Sequence, residues 1–457
     1  MKKSIDMLNG PLLSSILRFS FPIIATGVLQ ILYNNADIVI IGQFARESQN
    51  AVGAIGATSS IIHLIVNLFL GLSVGTNVAL AQSIGRRDDP GSKRVVHSAI
   101  SLSIICGVIM TVIGVAFSDA FLTWMDTPVD VFDQSLLYLK IYFVGMPASM
   151  IYNFGSAILR SKGDTKRPLV ILSLSGIANV IFNCVFVIFF DMSVDGVAWA
   201  TTISQYISAI AILCVLFKEE GCFKLELSSL RLSKNESLLI LRYGIPAGFT
   251  SVMFNISNIF IQRALNAYNN PDILDGSAAA SGLEGFVYTS MNAFSQASMT
   301  FVGQNAGARN FKRIPKIYGT CAAVCVGLGI IMGWTIYLVG EPLLRVYLPT
   351  TSPEGIDFGM LRLACILLFY FLCGLMEVQM GVIRGLGYSS IPTTVTILTV
   401  CVFRILWLYT IYPIFGTLAS LYVCYPVSWL LSVVVLEIVY RIKYKSTTQL
   451  AATINEP

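Results

Sequence analysis

Charge is what this sequence has least of. Asp, Glu, Lys and Arg account for 12% of its 457 residues, 55% are hydrophobic, and the mean hydropathy is +0.74. A soluble domain carries about twice that charged fraction, because its surface must face water. The deficit excludes an ordinary soluble globule and implies a surface that faces lipid. Histidine is nearly missing too: His63 and His97 are too few for a histidine-built metal centre. The ten cysteines contain no Cys-x-x-Cys, and nine of them lie in apolar runs, with Cys222 alone in a polar loop. They read as small buried hydrophobes rather than a disulfide framework. There is no G-x-x-x-x-G-K-[ST] and no H-E-x-x-H, so neither a resident ATPase nor a zinc hydrolase is written here. The sequence points away from an enzyme, and no cofactor is expected. The basic loops are short and dispersed, which gives little support for nucleic-acid binding. No cleavable signal peptide is visible: the first apolar stretch, Ile16 to Ile41, is too long for a signal h-region and has no small-residue cleavage site.

What is abundant is apolar sequence in long runs. Spanning a hydrocarbon core of about 30 Å takes about 20 helical residues. Windows of that length recur at 16–41, 54–80, 95–117, 134–157, 168–190, 197–217, 237–267, 278–300, 317–341, 358–383, 391–412 and 416–440. The expected fold is an all-α polytopic membrane protein of twelve transmembrane helices.

Charge placement supports the same count. With the N-terminus inside, 24 of the 30 basic residues fall at or near the inner face, from Lys2, Lys3 and Arg18 through Arg86, Arg160, Lys218, Arg309 and Arg384 to Arg441, Lys443 and Lys445. The loop 118–133 on the other side has Asp119, Asp126, Asp130 and Asp133 and no basic residue. This positive-inside pattern places both termini in the cytoplasm and suits a bacterial inner (plasma) membrane.

The two halves match. Ile16 to Pro22 corresponds to Ile240 to Pro246, Gln82 to Gly85 corresponds to Gln304 to Gly307, and Leu159 to Pro168 corresponds to Ile383 to Pro392. The separations are 224, 222 and 224 residues, so three signals keep nearly one register. The chain is therefore expected to divide into an N-lobe (1–217), a cytoplasmic linker (218–236) and a C-lobe (237–457). Each lobe holds six helices, so the lobes should be related by a pseudo-two-fold axis along the membrane normal, an arrangement of transporters rather than channels.

With these motifs in place, the chain resembles the multidrug and toxic compound extrusion (MATE) family over nearly its whole length. The resemblance rests on Tyr33-Asn-Asn-Ala-Asp37 with Ile41-Gly42, on Gly71-Leu-Ser-Val-Gly75 with Ala81-Gln82 and Gly85, on Phe301-Val-Gly-Gln-Asn-Ala-Gly-Ala308, and on Arg384-Gly-Leu-Gly387 with Pro392. It implies an antiporter that exports small organic, often cationic and amphipathic compounds in exchange for Na+ or H+. It also implies alternating access with substrate in or beside a cleft between lobes. Membrane lipid is the expected surrounding, and no obligate protein partner is implied.

Asp37 is the first candidate residue. It lies about 21 residues from the inner end of the first window, where a carboxylate must be paired, hydrated or protonated. The resemblance identifies it with the family's first-helix acid, implicated in cation coupling; the structural alternative is an acid held by Asn34. One branch of the family pairs that acid with another in the fifth helix, where this chain reads Asn179-Val-Ile-Phe-Asn183. An amide cannot exchange a proton, but its oxygen can ligate Na+ or bond to Asp37. A single titrating acid and a Na+ site of Asp37, Asn34, Asn179 and Asn183 both stay open, as does plain amide packing.

In the second half, Glu284 sits about two turns below the outer end of its window. Facing a cleft, it would attract an organic cation; paired with Arg362 or Arg404, it would be structural. Glu377, two turns before Arg384, is expected to snorkel to the inner interface and pair there, with gating as the alternative. Among 27 Phe, 19 Tyr and 5 Trp most serve packing and lipid contact, while Tyr33, Tyr288, Met291 and Met299 are candidate cleft-wall residues. Pro22 and Pro246, at equivalent places, are expected to interrupt the helical ladder, either as bending points or as fixed kinks. The competing function is a flippase for lipid-linked oligosaccharide or polyprenyl-phosphate cargo, which would need several mid-membrane cations; Arg404 and Arg362 are the candidates.

Overall fold

The computed structural model describes residues 5–44, 48–347 and 353–453. Lys2 and Lys3, counted among the inner-face cations, lie outside the described residues. Among the described residues the regular structure is entirely helical. The first half comprises α1 (Leu12–Phe44), α2 (Ser48–Gly85), α3 (Asp89–Trp124), α4 (Val129–Val144), α5 (Met146–Ser161), α6 (Lys166–Asn183) and α7 (Val194–Phe217). The second comprises α8 (Lys234–Asn266), α9 (Pro271–Gly307), α10 (Ile314–Leu338), α11 (Gly340–Tyr347), α12 (Pro353–Ile366) and α13 (Tyr370–Gly385). It continues through α14 (Ser390–Thr396), α15 (Phe403–Thr410), α16 (Tyr412–Phe415) and α17 (Leu418–Thr453).

Among the described residues, ten helices are long and apolar enough to cross a membrane, and an eleventh span forms when α4 and α5 are taken together. That pair bends by 46° at Gly145. Pro147, near the start of α5, has no N–H to continue the ladder across the bend. The remaining span of the twelve is α9, whose 37 residues would reach about 55 Å. It fails a test of apolarity because Ser277, Glu284, Ser290, Ser295, Ser298 and Asn305 are buried against protein, not offered to lipid. Its neighbours in packing are α10, α12 and α13.

The duplication is visible bond for bond. Arg87 and Arg309 both take left-handed backbone angles, φ 56° and 57°, and so do Gly163 and Gly387, at 94° and 98°. Gly163 N donates to Arg160 O and Gly387 N to Arg384 O, each at 2.8 Å. Asp164 N reaches back to Leu159 O at 2.9 Å and Tyr388 N to Ile383 O at 3.1 Å. These are the same helix-ending turns, with glycine where a Cβ would be strained.

The chain separates into two compact units, one of Met1–Ile5 and Ala25–Gly248, the other of Asp6–Ile24 and Phe249–Pro457. The changeovers fall inside α1 and α8, two residues after Pro22 and Pro246, yet both helices continue through those prolines. In the first unit, α8 approaches α2 at a pair of glycine stripes. A Cβ on Gly71 would lie 2.1 Å from Gly248 N, and one on Gly75 2.6 Å from Gly244 N. Small residues spaced by four allow this backbone contact inside a membrane. In the second unit, the start of the chain is held by Asn305 Nδ2 donating to Met7 O (3.0 Å), by Arg313 donating to Gly10 O, and by Phe19 edge-on to Phe301 at 5.7 Å. The substitution Gly71→Leu, with nowhere to place four carbons, should destabilise the protein by about 1–3 kcal/mol, read as a lowered midpoint of unfolding in detergent.

The polar stretch after α7 is tied to the first unit. Glu219 accepts from Lys162 Nζ at 2.6 Å and from Arg167, and Glu226 accepts from Lys93 Nζ at 2.8 Å. Glu226 N donates to His97 Nε2 at 3.1 Å, and the other ring nitrogen contacts Lys93 O at 2.7 Å. The hydrogen bond and charge of Lys93 hold the Glu226 carboxyl below its usual range. The tether should thus be intact above the ordinary glutamate range and weaken as pH falls through the lowered value. Limited proteolysis across 220–233 should accelerate over that acidic interval, and Glu226→Gln should be cleaved faster than the parent chain at neutral pH.

Candidate functional site

Asp37 lies in the last part of α1, and the structure brings two of its proposed companions to it. Asn183 Nδ2 donates to Asp37 Oδ1 at 2.5 Å and also reaches Asn179 Oδ1 at 3.4 Å. Asn179 Nδ2 donates to Thr201 Oγ1 at 3.3 Å, and Thr201 Oγ1 donates to Asp37 Oδ2 at 3.4 Å. The four side chains close a ring in the first unit, drawn from α1, α6 and α7. Asn179 and Asn183, one turn apart on α6, are 6% and 0% exposed. A π-helical segment, Cys184–Phe189, begins directly after Asn183. Such segments insert an extra residue into a helical turn and recur at functional sites.

Two expectations change here. Asn34 is exposed and no hydrogen bond joins it to the ring; sharing a helix face with Asp37 at i and i+3 does not by itself make a contact. Its place is taken by Thr201, one of many hydroxyl residues in apolar windows with no local pattern to mark it. Tyr33, expected on a cleft wall, is instead packed within the first unit: its hydroxyl donates to Ser173 O at 3.2 Å and its ring covers Gly176.

Asn183 Oδ1 is buried and has no hydrogen-bond partner. The ring therefore contains one carboxylate, amide and hydroxyl oxygens, and no Lys or Arg. That donor set suits a hard monovalent cation or a proton on Asp37, and a neutral pair of amides can rotate to present oxygen instead of nitrogen.

In the second unit the polar residues sort differently. Glu284 and Arg362 form a two-pronged ion pair, Nε to Oε1 at 2.8 Å and Nη2 to Oε2 at 3.0 Å, while Arg362 Nη1 donates to Ser277 Oγ at 2.8 Å. Both residues are 7% exposed. Glu284 is thus neutralised by Arg362 and is no lure for an organic cation. Arg404, the other candidate partner, is 2% exposed and bonds to Ser428 Oγ (3.1 Å) and Asn258 Oδ1 (3.3 Å), with its guanidinium 4.0 Å from the Tyr425 ring centroid. Among the described residues no carboxylate is within ion-pair distance of it. A second π-helical segment, Ile397–Val402, ends two residues before it.

Glu377 does not snorkel. It is 5% exposed, and its Oε1 accepts from Tyr288 OH at 3.5 Å. Arg384, 9% exposed, turns Nη2 to Thr250 Oγ1 at 3.2 Å and makes no ion pair within 4.0 Å among the described residues. The end of α13 is enclosed by α9, where Ser295 Oγ donates to Glu377 O at 2.8 Å, so the interface is out of reach. Met291 and Met299, 1% and 4% exposed, are core residues and not wall; Met291 fills the space over Gly329 and Gly374. Tyr288, 39% exposed, is the one wall candidate of the second unit that is open.

Together these features define a polytopic helical membrane protein built from two homologous halves, each with polar groups buried among its own helices. The MatE family profile matches twice, over residues 22–185 and 246–410, beginning at the two equivalent prolines. The chain belongs to this family of multidrug efflux transporters. It is 27% identical over 386 residues to the probable multidrug resistance protein YpnP of Bacillus subtilis, covering 84% of this chain and 85% of that one. It is 25% identical over 443 residues to the probable multidrug resistance protein YoeA of the same organism, covering 93% of each. In fold it superposes on an outward-facing multidrug resistance MATE transporter with a TM-score of 0.91 at 21% identity, covering 98% of this chain and 99% of that one.

Removing one half of a buried ion pair leaves an uncompensated charge, whereas removing both does not. Arg362→Leu should therefore destabilise by about 3–5 kcal/mol, and Glu284→Leu combined with Arg362→Leu should recover most of the loss. Equilibrium unfolding of the single and double variants in detergent measures this.

Proposed function

We propose that this protein is a secondary active antiporter that exports small organic compounds in exchange for Na+ or H+, with Asp37 as the coupling acid. The ring of Asp37, Asn183, Asn179 and Thr201 carries this reading. A half-buried carboxylate compensated only by neutral donors is poised between two states of similar cost: ionised with a cation beside it, or protonated. Binding the ion would turn the amide oxygens of Asn183 and Asn179 inward and break the bond from Asn183 Nδ2 to Asp37. The positions of α1 and α6 would then depend on whether the ion is present, the link that ion-driven alternating access needs. The basic loops orient both termini to the cytoplasm of a bacterial inner membrane.

A second reading, movement of an anionic lipid-linked cargo, has one observation in its favour. Arg404 is a buried cation with no acid within ion-pair distance among the described residues, while Glu284 is already neutralised.

The deciding experiment is efflux of a fluorescent organic cation from proteoliposomes under separately imposed Na+ and pH gradients. Asp37→Asn should abolish gradient-driven flux, and Asn183→Leu should reduce it by about tenfold or more, the equivalent of losing one charge-assisted hydrogen bond. Flux indifferent to both gradients, alongside movement of a labelled lipid-linked sugar that is lost in Arg404→Gln, would replace the antiporter with the second reading.

A further inference from the structure

The second unit contains a groove that the transport reading does not use. It has a volume of about 490 Å³ and is walled by α10, α13 and α17. Its residues are layered along α17. At one end Val433 and Val434 stand with Leu375 of α13; a turn further are Glu437 and Ile438; a turn further again is Arg441. Val433 to Arg441 is about 12 Å of helix. Val434 and Ile438 are 51% and 54% exposed on a helix long and apolar enough to cross the membrane. What surrounds them is lipid.

The floor of the groove is polar and organised. Glu437 Oε2 accepts from Tyr318 OH at 2.7 Å and Gln379 Nε2 at 3.4 Å, and Oε1 accepts from Arg441 Nε at 2.7 Å. Gln379 also gives Nε2 to Tyr318 OH at 3.1 Å and to Val433 O at 3.3 Å. Only 1% exposed, Gln379 ties Glu437, Tyr318 and the backbone of α17 together along the groove. The result is a fixed band of hydrogen-bonding groups beside the apolar layer.

Charge decides which headgroup fits. Glu437 already has Arg441 as its counter-charge, so the groove offers no uncompensated anion to a cationic headgroup. The side chain of Arg441 is 77% exposed and uses only Nε on Glu437, which leaves its two terminal nitrogens to face outward as a fork that matches a phosphate. Lys443 and Lys445 follow on α17, and Lys312 and Lys316 flank the start of α10, with no acid between 309 and 320 or between 438 and 449. This end of the groove is net positive.

We propose that the groove holds one glycerophospholipid with an anionic headgroup, of the phosphatidylglycerol kind. Its phosphate lies on Arg441, its glycerol hydroxyl and ester region beside Gln379 and Tyr318, and an acyl chain along Ile438, Val434, Val433 and Leu375. The order of charge, hydrogen-bonding groups and hydrocarbon down the groove is the order of the lipid itself. Binding needs the membrane setting but neither the antiporter nor the flippase reading; the leaflet alone follows from the proposed orientation.

The test is native mass spectrometry of the full chain released from nanodiscs of equal phosphatidylglycerol and phosphatidylcholine, with no gradient present. The intact protein should retain phosphatidylglycerol preferentially. Arg441→Gln should lower that preference about fivefold, the loss expected of one cation facing an anionic headgroup. Ile438→Trp, which fills the groove, should lose the retained lipid, while Lys218→Gln, in the polar stretch after α7, should leave it unchanged. Equal retention of the two lipids by the intact protein, or an unchanged preference in Arg441→Gln, overturns the proposal. So does displacement of the lipid by millimolar inorganic phosphate, which would make the site one for free anions. Should Ile438→Trp fail to fold, Arg441→Gln decides alone, because its exposed side chain supports no core packing.

Discussion

An ion taken out of water into hydrocarbon must be compensated on the spot, and the polar architecture of this transporter is a set of answers to that demand. Glu284 is answered by a guanidinium in a two-pronged pair and so contributes no net field. Asp37 is answered by one amide and one hydroxyl, linked through a second amide, which share its charge without cancelling it. Arg404 is answered by aromatic faces and neutral oxygens. These three solutions differ in reversibility. A direct ion pair is deep and static, whereas a carboxylate ringed by neutral donors can exchange its compensation for a proton or a metal ion. The first unit is accordingly equipped for exchange at Asp37, and the second, at Glu284, for rigidity.

The demand also shapes the helices that carry these groups. α9 is too polar to be recognised as a span by composition, because its serines, Glu284 and Asn305 are buried against other helices. α2 and α8 give up side chains altogether at Gly71, Gly75, Gly244 and Gly248, exchanging surface for backbone proximity. In both cases the lipid-facing apolar pattern is broken where protein replaces lipid as the neighbour.

Much of this was legible before the structure. Helix number follows from run length, and the duplication from Pro22 and Pro246, Gly85 and Gly307, Gly163 and Gly387, whose equivalent turns carry matching backbone angles. Asp37 announced itself as a carboxylate in an apolar run, and the Asn179 to Asn183 spacing of one turn put two amides on one face. The rest depended on rotations that sequence does not encode locally. Asn34 and Asn183 were equal candidates until packing left one exposed and brought the other to the acid. Thr201 was one hydroxyl among dozens. Arg362 and Arg404 were both open as partners for Glu284, and only the placement of α12 beside α9 chose between them. Glu377 was assigned to the interface by its position near a helix end, a rule that fails when a neighbouring helix encloses that end.

The π-helical segment after Asn183 has a consequence for how the chain can vary. Each residue of an α-helix turns the next by about 100°, and a π segment accommodates one residue more than the α-helical pitch allows. The segment is also the last turn of its span, which stops at Phe189 before the chain re-enters as α7 at Val194. Variants that lose a single residue between Cys184 and Phe189 could relax that turn to α-helical pitch while Asn179 and Asn183 keep their places. Changes of chain length can thus be absorbed at the end of the span without re-aiming the amides that hold Asp37.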